Sequence, residues 1–186
     1  MKKVMWSLLS ALAVLFLNTV LINQAEAARV AVLPIEIDEA KVERANDFNG
    51  YYWDIIIDKF KYPEYELLDD EKVAVAVPEE RLKVFNKEAL VKILDKTDSD
   101  IVVAMRLDRV EENPYPSFTE PMLECIMIGE FVGYNRITGK YYNKKINYKD
   151  NIEEILTVRN DWQQNVFASE LKRYISRTLE DKKSKK

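Results

Sequence analysis

The hydrophobic pattern of the chain is clearest near its middle. A polar turn at residues 97–100 precedes an apolar run over residues 101–107, which only Arg106 interrupts. A short run that is rich in β-branched residues and follows turn formers is typical of a strand buried on both faces. Because such a strand needs elements packed on both sides of its sheet, the pattern predicts an α/β or α+β domain.

Helical spacing of apolar residues marks four further segments. Phe48 and Tyr52, four residues apart, begin the apolar face of the first segment. Asn86 is a suitable N-cap for the third helix, and Asp161 with Gln164 forms a capping-box pair at the start of the fourth. The predicted helices cover residues 46–60, 69–77, 87–96 and 162–179.

Alternation and composition mark the remaining strands. Pro34 limits the first of them, because proline donates no hydrogen bond to a ladder. Thr138 and Gly139 predict a tight turn between the last two, and we expect one side of this hairpin to face water. The prolines within residues 111–121 predict a loop. The predicted strands cover residues 29–37, 65–68, 101–107, 123–135 and 140–148.

These elements predict a mixed sheet of about five strands with helices packed on it. Their order along the chain is β-α-β-α-α-β-β-β-α, and residues 151–159 fit either a short helix or an ordered loop. Gly129 and Gly133 share a face of the hairpin with Phe131. We expect these glycines to leave room for a helix or an aromatic ring.

The amino terminus has the pattern of a secretory signal. Lys2 and Lys3 precede a mostly apolar stretch, and small residues lie ahead of Ala28, where we expect cleavage. An uncleaved membrane anchor is the alternative, because the apolar stretch approaches the ~20 residues that span a bilayer. The predicted organisation is a signal peptide over 1–27, one α/β domain over 28–180 and a basic flexible tail over 181–186. Cleavage would leave an exported protein, periplasmic or extracellular, without stable membrane insertion.

The charge of the chain argues against nucleic acid as a partner. After removal of residues 1–27, 26 basic and 31 acidic side chains remain. Binding to nucleic acid depends largely on neutralising phosphates, which a mildly acidic chain does poorly. The oligomeric state is left open by the sequence.

The residues that most often carry catalysis are scarce. The chain contains no histidine, and its single cysteine, Cys125, lies in an apolar run typical of a buried core residue. We find no phosphate-binding loop, nucleophile elbow or metal-ligand spacing. We therefore predict no catalytic residues, no cofactor and no metal site, and a chain that is not an enzyme.

Tyrosine and tryptophan are more numerous than a core of this size accommodates. Such side chains, when exposed, supply contact area with a polar handle at docking surfaces. We predict a partner-binding surface on the hairpin and at the start of the last helix. Its candidate residues are Tyr141, Tyr148, Arg159 and Trp162.

Three short segments resemble a known family. They are Arg29-Val30-Ala31-Val32-Leu33-Pro34, Asp98-Ser99-Asp100-Ile101-Val102-Val103-Ala104 and Asn135-Arg136-Ile137-Thr138-Gly139-Lys140. Together they resemble the exported domains related to the TolB amino-terminal domain, the CsgG-like secretion proteins and the LpoB-type activators of peptidoglycan synthases. The resemblance implies a fold similar to the anticodon-binding domain and a non-enzymatic binding or assembly role in the cell envelope. It supplies no catalytic residues, and the chain lacks the lipobox cysteine that anchors many of these relatives.

The leading hypothesis is an exported binding or assembly module that contacts a protein partner in the bacterial cell envelope. One alternative is a module that binds a small ligand or glycan through surface aromatics. Another is a hydrolase of unrecognised type.

Overall fold

A computed structural model of the chain describes residues 27–77, 85–117, 120–153 and 156–180, with the side chains of 156–161 left out. The predicted signal peptide up to residue 26 and the predicted tail lie outside these residues. Among them, no helix is long and apolar enough to cross a membrane. The strands are β1 Ala28–Val32, β2 Glu36–Ile37, β3 Tyr65–Leu67, β4 Ile101–Pro116, β5 Pro121–Asn135 and β6 Lys140–Glu153. The helices are α1 Ala45–Lys59, α2 Asp70–Ala76, α3 Lys87–Thr97 and α4 Leu156–Leu179.

The strands form one mixed sheet in the order β3-β1-β4-β5-β6, and β2 also pairs with β4. β1 runs parallel to β3 and β4, whereas β4, β5 and β6 form an antiparallel meander. The predicted fold class is confirmed. The predicted first strand is divided at Pro34 into β1 and β2, because proline has no N–H for a continuous ladder.

β4 lies in the middle of the sheet, and its first half is buried on both faces, as predicted. Ile101, Val103 and Met105 belong to the larger core, which α1 and α4 cover. Val102 and Ala104 belong to a smaller core on the opposite face, under α2 and α3. The alternation follows from the two-residue period of a strand.

The larger core is closed by aromatic contacts between helices and sheet. Phe48 of α1 meets Phe167 of α4 edge to face, with ring centroids 5.3 Å apart. The buried hydroxyl of Tyr52 donates a hydrogen bond to the carbonyl of Leu33 at 2.9 Å. Burial raises the pKa of this phenol far above its ordinary value, so it remains a neutral donor.

Gly133 has the role that its position in the hairpin predicts. A Cβ at this residue would lie 2.5 Å from the side-chain oxygen of Thr178 in α4. The missing side chain therefore allows α4 to approach β5 closely.

Three of the four predicted helices start within one residue of the predicted position, and two of these starts have a side-chain cap. Asp69 caps α2 by accepting from the N–H of Glu71, and Asn86 caps α3 by accepting from the N–H of Ala89 at 2.8 Å. The predicted capping box at Asp161 is wrong, since α4 already begins at Leu156. Residues 151–153 extend β6, so the ambiguous segment 151–159 is divided between a strand and a helix.

The predicted loop over residues 111–121 is also wrong. β4 continues to Pro116 and β5 begins at Pro121, with Pro114 opposite Leu123. Beyond Val110 this half of β4 pairs only with β5 among the residues described. A strand at the edge of a sheet accommodates proline, because one of its sides needs no N–H donor.

Candidate interaction surface at the edge of the sheet

β6 is the last strand of the sheet, and within the described ranges β5 is the one strand that pairs with it. It is 14 residues long. Successive backbone groups of a strand point to opposite sides, so about half of them face away from β5. We refer to this outer side of residues 140–153 as the β6 edge. An edge of this kind is able to accept a further strand.

A tight turn fixes the start of β6. Gly139 adopts a positive φ of 63°, and the side-chain oxygen of Asn135 accepts a hydrogen bond from the N–H of Thr138 at 3.2 Å. The N–H of Arg136 donates to the carbonyl of Asp100 at 2.8 Å, which joins the turn to the beginning of β4. The predicted turn at Thr138 and Gly139 is confirmed.

On the face covered by α1 and α4, β6 contacts the first half of α4 through a pair of rings. Tyr148 stacks on Trp162 with ring centroids 5.9 Å apart and an interplanar angle of 16°. The indole N–H of Trp162 donates to a carboxylate oxygen of Glu112 at 2.7 Å, and Gln163 donates to the same oxygen at 2.9 Å. Trp162 is 5% exposed, so this contact holds α4 against the sheet.

The tyrosine of this pair remains protonated at neutral pH. Its hydroxyl donates to Asp150 at 3.2 Å. Burial, together with the neighbouring Asp150 carboxylate, raises the pKa of Tyr148 to about 12. Tyr148 is therefore a hydrogen-bond donor here and supplies no phenolate.

The opposite face of β6 carries a polar network. The side-chain amide of Asn143 donates to Glu130 at 3.0 Å and to the hydroxyl of Tyr141 at 3.3 Å. Glu130 is buried and pairs with Arg106 at 2.9 Å. The Arg106 guanidinium also lies over the ring of Phe85, 4.9 Å from its centroid. These contacts fix the polar side of the sheet next to the smaller core.

The structure brings together two of the four predicted partner-binding residues. Tyr148 and Trp162 are stacked, whereas Tyr141 packs at the smaller core on the other face of β6. Arg159 belongs to α4, and its side chain is among those left out. The burial of Trp162 leaves little of its ring for a partner to contact. The partner-binding role of these residues stays a prediction.

Two adjacent lysines of the β6 edge were not among the predicted residues. Lys144 and Lys145 are exposed at the middle of the strand. Because side chains alternate along a strand, they lie on opposite faces of the sheet. The two adjacent lysines inside an alternating segment are visible in the sequence. They indicate a binding site only once β6 is known to be an edge strand.

The described residues offer few groups for catalysis or metal binding. Across residues 27–77, 85–117, 120–153 and 156–180 there is no group of three or more His, Cys, Asp or Glu side chains placed to hold a metal. An open pocket of about 290 Å³ lies on the polar face, between Arg106, Glu130 and Lys145. No aromatic side chain lines it, so it does not offer the stacking surface that a glycan would use.

Cys125 is a core residue, as predicted. Its thiol is buried, and burial raises its pKa to about 12. We expect iodoacetamide at pH 8 to alkylate the native chain at least about 100-fold more slowly than the urea-unfolded chain, because the thiol reacts only after local opening. Mass spectrometry of timed samples measures both rates. Equal rates would contradict the burial of this thiol.

Comparison with known proteins shows no family for the chain. No family model and no curated protein matches it. A solved structure of a putative neuraminyllactose-binding hemagglutinin homolog from Helicobacter pylori is similar, with 12% identity, 84% of this chain and 87% of that chain covered, and a TM-score of 0.47.

Two further solved structures are also similar. The LpoB C-terminal domain from Salmonella enterica has 10% identity, coverage of 72% of this chain and 92% of that chain, and a TM-score of 0.35. Lipoprotein GNA1162 from Neisseria meningitidis has 11% identity, coverage of 80% and 98%, and a TM-score of 0.38. LpoB is one of the proteins that the sequence motifs resemble, but similarities at this level carry no argument about the function of the chain.

Proposed function

We propose that this chain is an exported, non-enzymatic binding or assembly module that contacts a protein partner in the bacterial cell envelope. The observation that carries the proposal is the β6 edge, a 14-residue strand whose outer side pairs with nothing among the described residues. The export pattern at the amino terminus supports the compartment.

The mode of binding follows from the backbone of an edge strand. An extended segment of a partner gains a row of main-chain hydrogen bonds by pairing with it, and side chains on the two faces provide specificity. The polar network of Asn143 and Glu130 on one face and the stacked Tyr148 and Trp162 on the other hold β6 in place. A strand whose backbone is already ordered binds with a smaller entropic cost than one that must fold on binding.

Hydrogen exchange tests whether the β6 edge is open in the isolated protein. We expect every second amide of residues 141–152 to be protected by β5, and the amides between them to exchange at least about 100-fold faster. Amide-resolved NMR of the full chain after transfer to D₂O measures this pattern. The amides of β5 are the control, because that strand is paired on both sides. Uniform protection along β6 would mean that another segment already covers the edge.

Site-specific cross-linking tests the partner itself. A photo-reactive side chain introduced at Asn147, which is exposed on β6, should form an adduct with an envelope protein in the cells that make this chain. The same group at Lys92, exposed on α3, is the matched control. Adducts of equal yield at both positions, or no adduct at Asn147, would contradict the proposal.

A further inference from the structure

The lysines of β6 differ in whether they have partners. Lys140 pairs with Glu180 at 3.6 Å, and Lys149 pairs with Glu124 at 2.7 Å. Lys144 and Lys145 have no ion-pair partner among the side chains that the structure describes, and both are exposed. Two cations without counter-charges therefore occupy the middle of the β6 edge.

The neighbouring carboxylate does not neutralise this pair. Glu130 lies directly opposite Lys145 in the register of β5 and β6. Its carboxylate is already engaged by Arg106 at 2.9 Å and by Asn143 at 3.0 Å. Lys144 lies opposite Phe131, which offers no charge. Among the described residues no further carboxylate pairs with either lysine, and an incoming strand on the free side of β6 is able to supply the counter-charge.

The two faces of β6 specify different neighbours for such a strand. Lys144 shares its face with Tyr142 and Ile146, which pack against the larger core. Lys145 shares the other face with the exposed amides of Asn143 and Asn147. A strand added beside β6 would extend both faces of the sheet. We expect apolar side chains on the face of Lys144 and polar side chains on the face of Lys145.

We infer that the β6 edge selects an extended, acidic partner segment with two adjacent carboxylates, one for each lysine, within an alternating apolar and polar sequence. This inference rests on the proposed function and names the chemistry of its partner. Carboxylates directly across from Lys144 and Lys145 form cross-strand ion pairs, which stabilise strand pairing.

The same two lysines disfavour a second copy of this chain as the occupant. In an antiparallel pair of β6 strands whose two-fold axis passes through Lys144 or Lys145, that lysine would lie directly opposite the same lysine of the other copy. Like charges directly opposite one another destabilise a sheet, and lysine on an edge strand is a common protection against self-association. The lysines thus favour an acidic partner and oppose self-pairing in these two registers.

Peptide binding tests the inference with defined probes. A ten-residue peptide that alternates valine and threonine carries two adjacent glutamates at its centre, and two matched peptides carry glutamine or lysine there. We expect the acidic peptide to bind the full chain about tenfold more tightly than the glutamine peptide, and the lysine peptide more weakly than both. Fluorescence anisotropy at low salt measures the three affinities. The acidic preference should shrink at about 0.5 M NaCl, because exposed charges are screened.

Reversing the charges of Lys144 and Lys145 provides a second test of the inference. The double variant Lys144→Glu/Lys145→Glu should reverse the order of the peptides, so that the lysine peptide binds most tightly. The control variant Lys72→Glu/Lys92→Glu makes the same change in net charge on exposed positions of α2 and α3, and should keep the wild-type order. Circular dichroism of both variants verifies that the fold is intact.

The possible results separate the inference from the function on which it rests. Binding of all three peptides with equal affinity would overturn the acidic selection and leave the open edge in place. Binding of none, together with uniform amide protection along β6, would overturn both. A wild-type chain that dimerises through β6 in analytical ultracentrifugation, while Lys144→Glu/Lys145→Glu does not, would identify a second copy as the occupant and overturn the inference.

Discussion

Replacing Phe131 by alanine is expected to lower the free energy of unfolding by about 4 kcal/mol. This side chain of β5 is fully buried, and its ring lies 5.6 Å from Tyr174 of α4 and 6.4 Å from Tyr142 of β6. Truncation leaves a cavity between a helix and two strands whose rigid backbones collapse little. Urea denaturation followed by circular dichroism measures the loss.

An exposed residue of the adjoining turn provides the control for this variant. Ile137 is 65% exposed, so Ile137→Ala should change the free energy of unfolding by less than about 0.5 kcal/mol. The loss at Phe131 should also speed the exchange of β6 amides bonded to β5, since the ring supports that strand pair. A loss at Phe131 no larger than that at Ile137 would show that α4 does not pack on the sheet in this way.

Replacing Gly129 by alanine is expected to destabilise the fold by about 3 kcal/mol. A Cβ at this residue would lie 2.4 Å from the carbonyl oxygen of Arg106 on β4. That oxygen belongs to the backbone, so no rotamer change relieves the clash and the two strands must separate. Urea denaturation again measures the effect.

Other glycines of the chain give matched comparisons for this substitution. Gly50 lies on the exposed side of α1, and a Cβ there meets nothing within 4 Å. Gly50→Ala should stabilise the chain by up to about 1 kcal/mol, because alanine favours the helix. Gly133→Ala should also destabilise the chain, since a Cβ there would lie within 3 Å of both branches of the buried Thr178 side chain. Equal effects at Gly50 and Gly129 would contradict the close approach of β4 and β5.

Local patterns predicted the elements of this fold well. The apolar run after residue 100 gave the central strand, and the side chains of Asp69 and Asn86 gave two helix starts, because these signals act within a few residues. The prolines at 114 and 116 were misleading. Their effect depends on whether a strand lies on each side, and that depends on the order of strands in the sheet.

The candidate site was harder to predict for the same reason. Aromatic side chains are typical of contact surfaces, yet Trp162 is buried, and its indole N–H donates to Glu112, 50 positions away along the chain. Lys144 and Lys145 have the same local sequence whether β6 is an inner strand or an edge. Whether these lysines are available to a partner depends on the order of strands in the sheet, which a short stretch of sequence does not determine.

β4 contains a β-bulge, which affects how the length of this strand can change during evolution. Leu107 lies opposite Gly129 and Arg109 lies opposite Ile128. Asp108 is therefore an extra residue of β4 that has no paired residue on β5. Deleting Asp108 would leave the later side chains of β4 on the faces of the sheet that they already occupy. Deleting a regularly paired residue would move the side chains that follow it to the opposite face. Among homologues, single-residue deletions in this strand are therefore expected at Asp108, and elsewhere only in pairs.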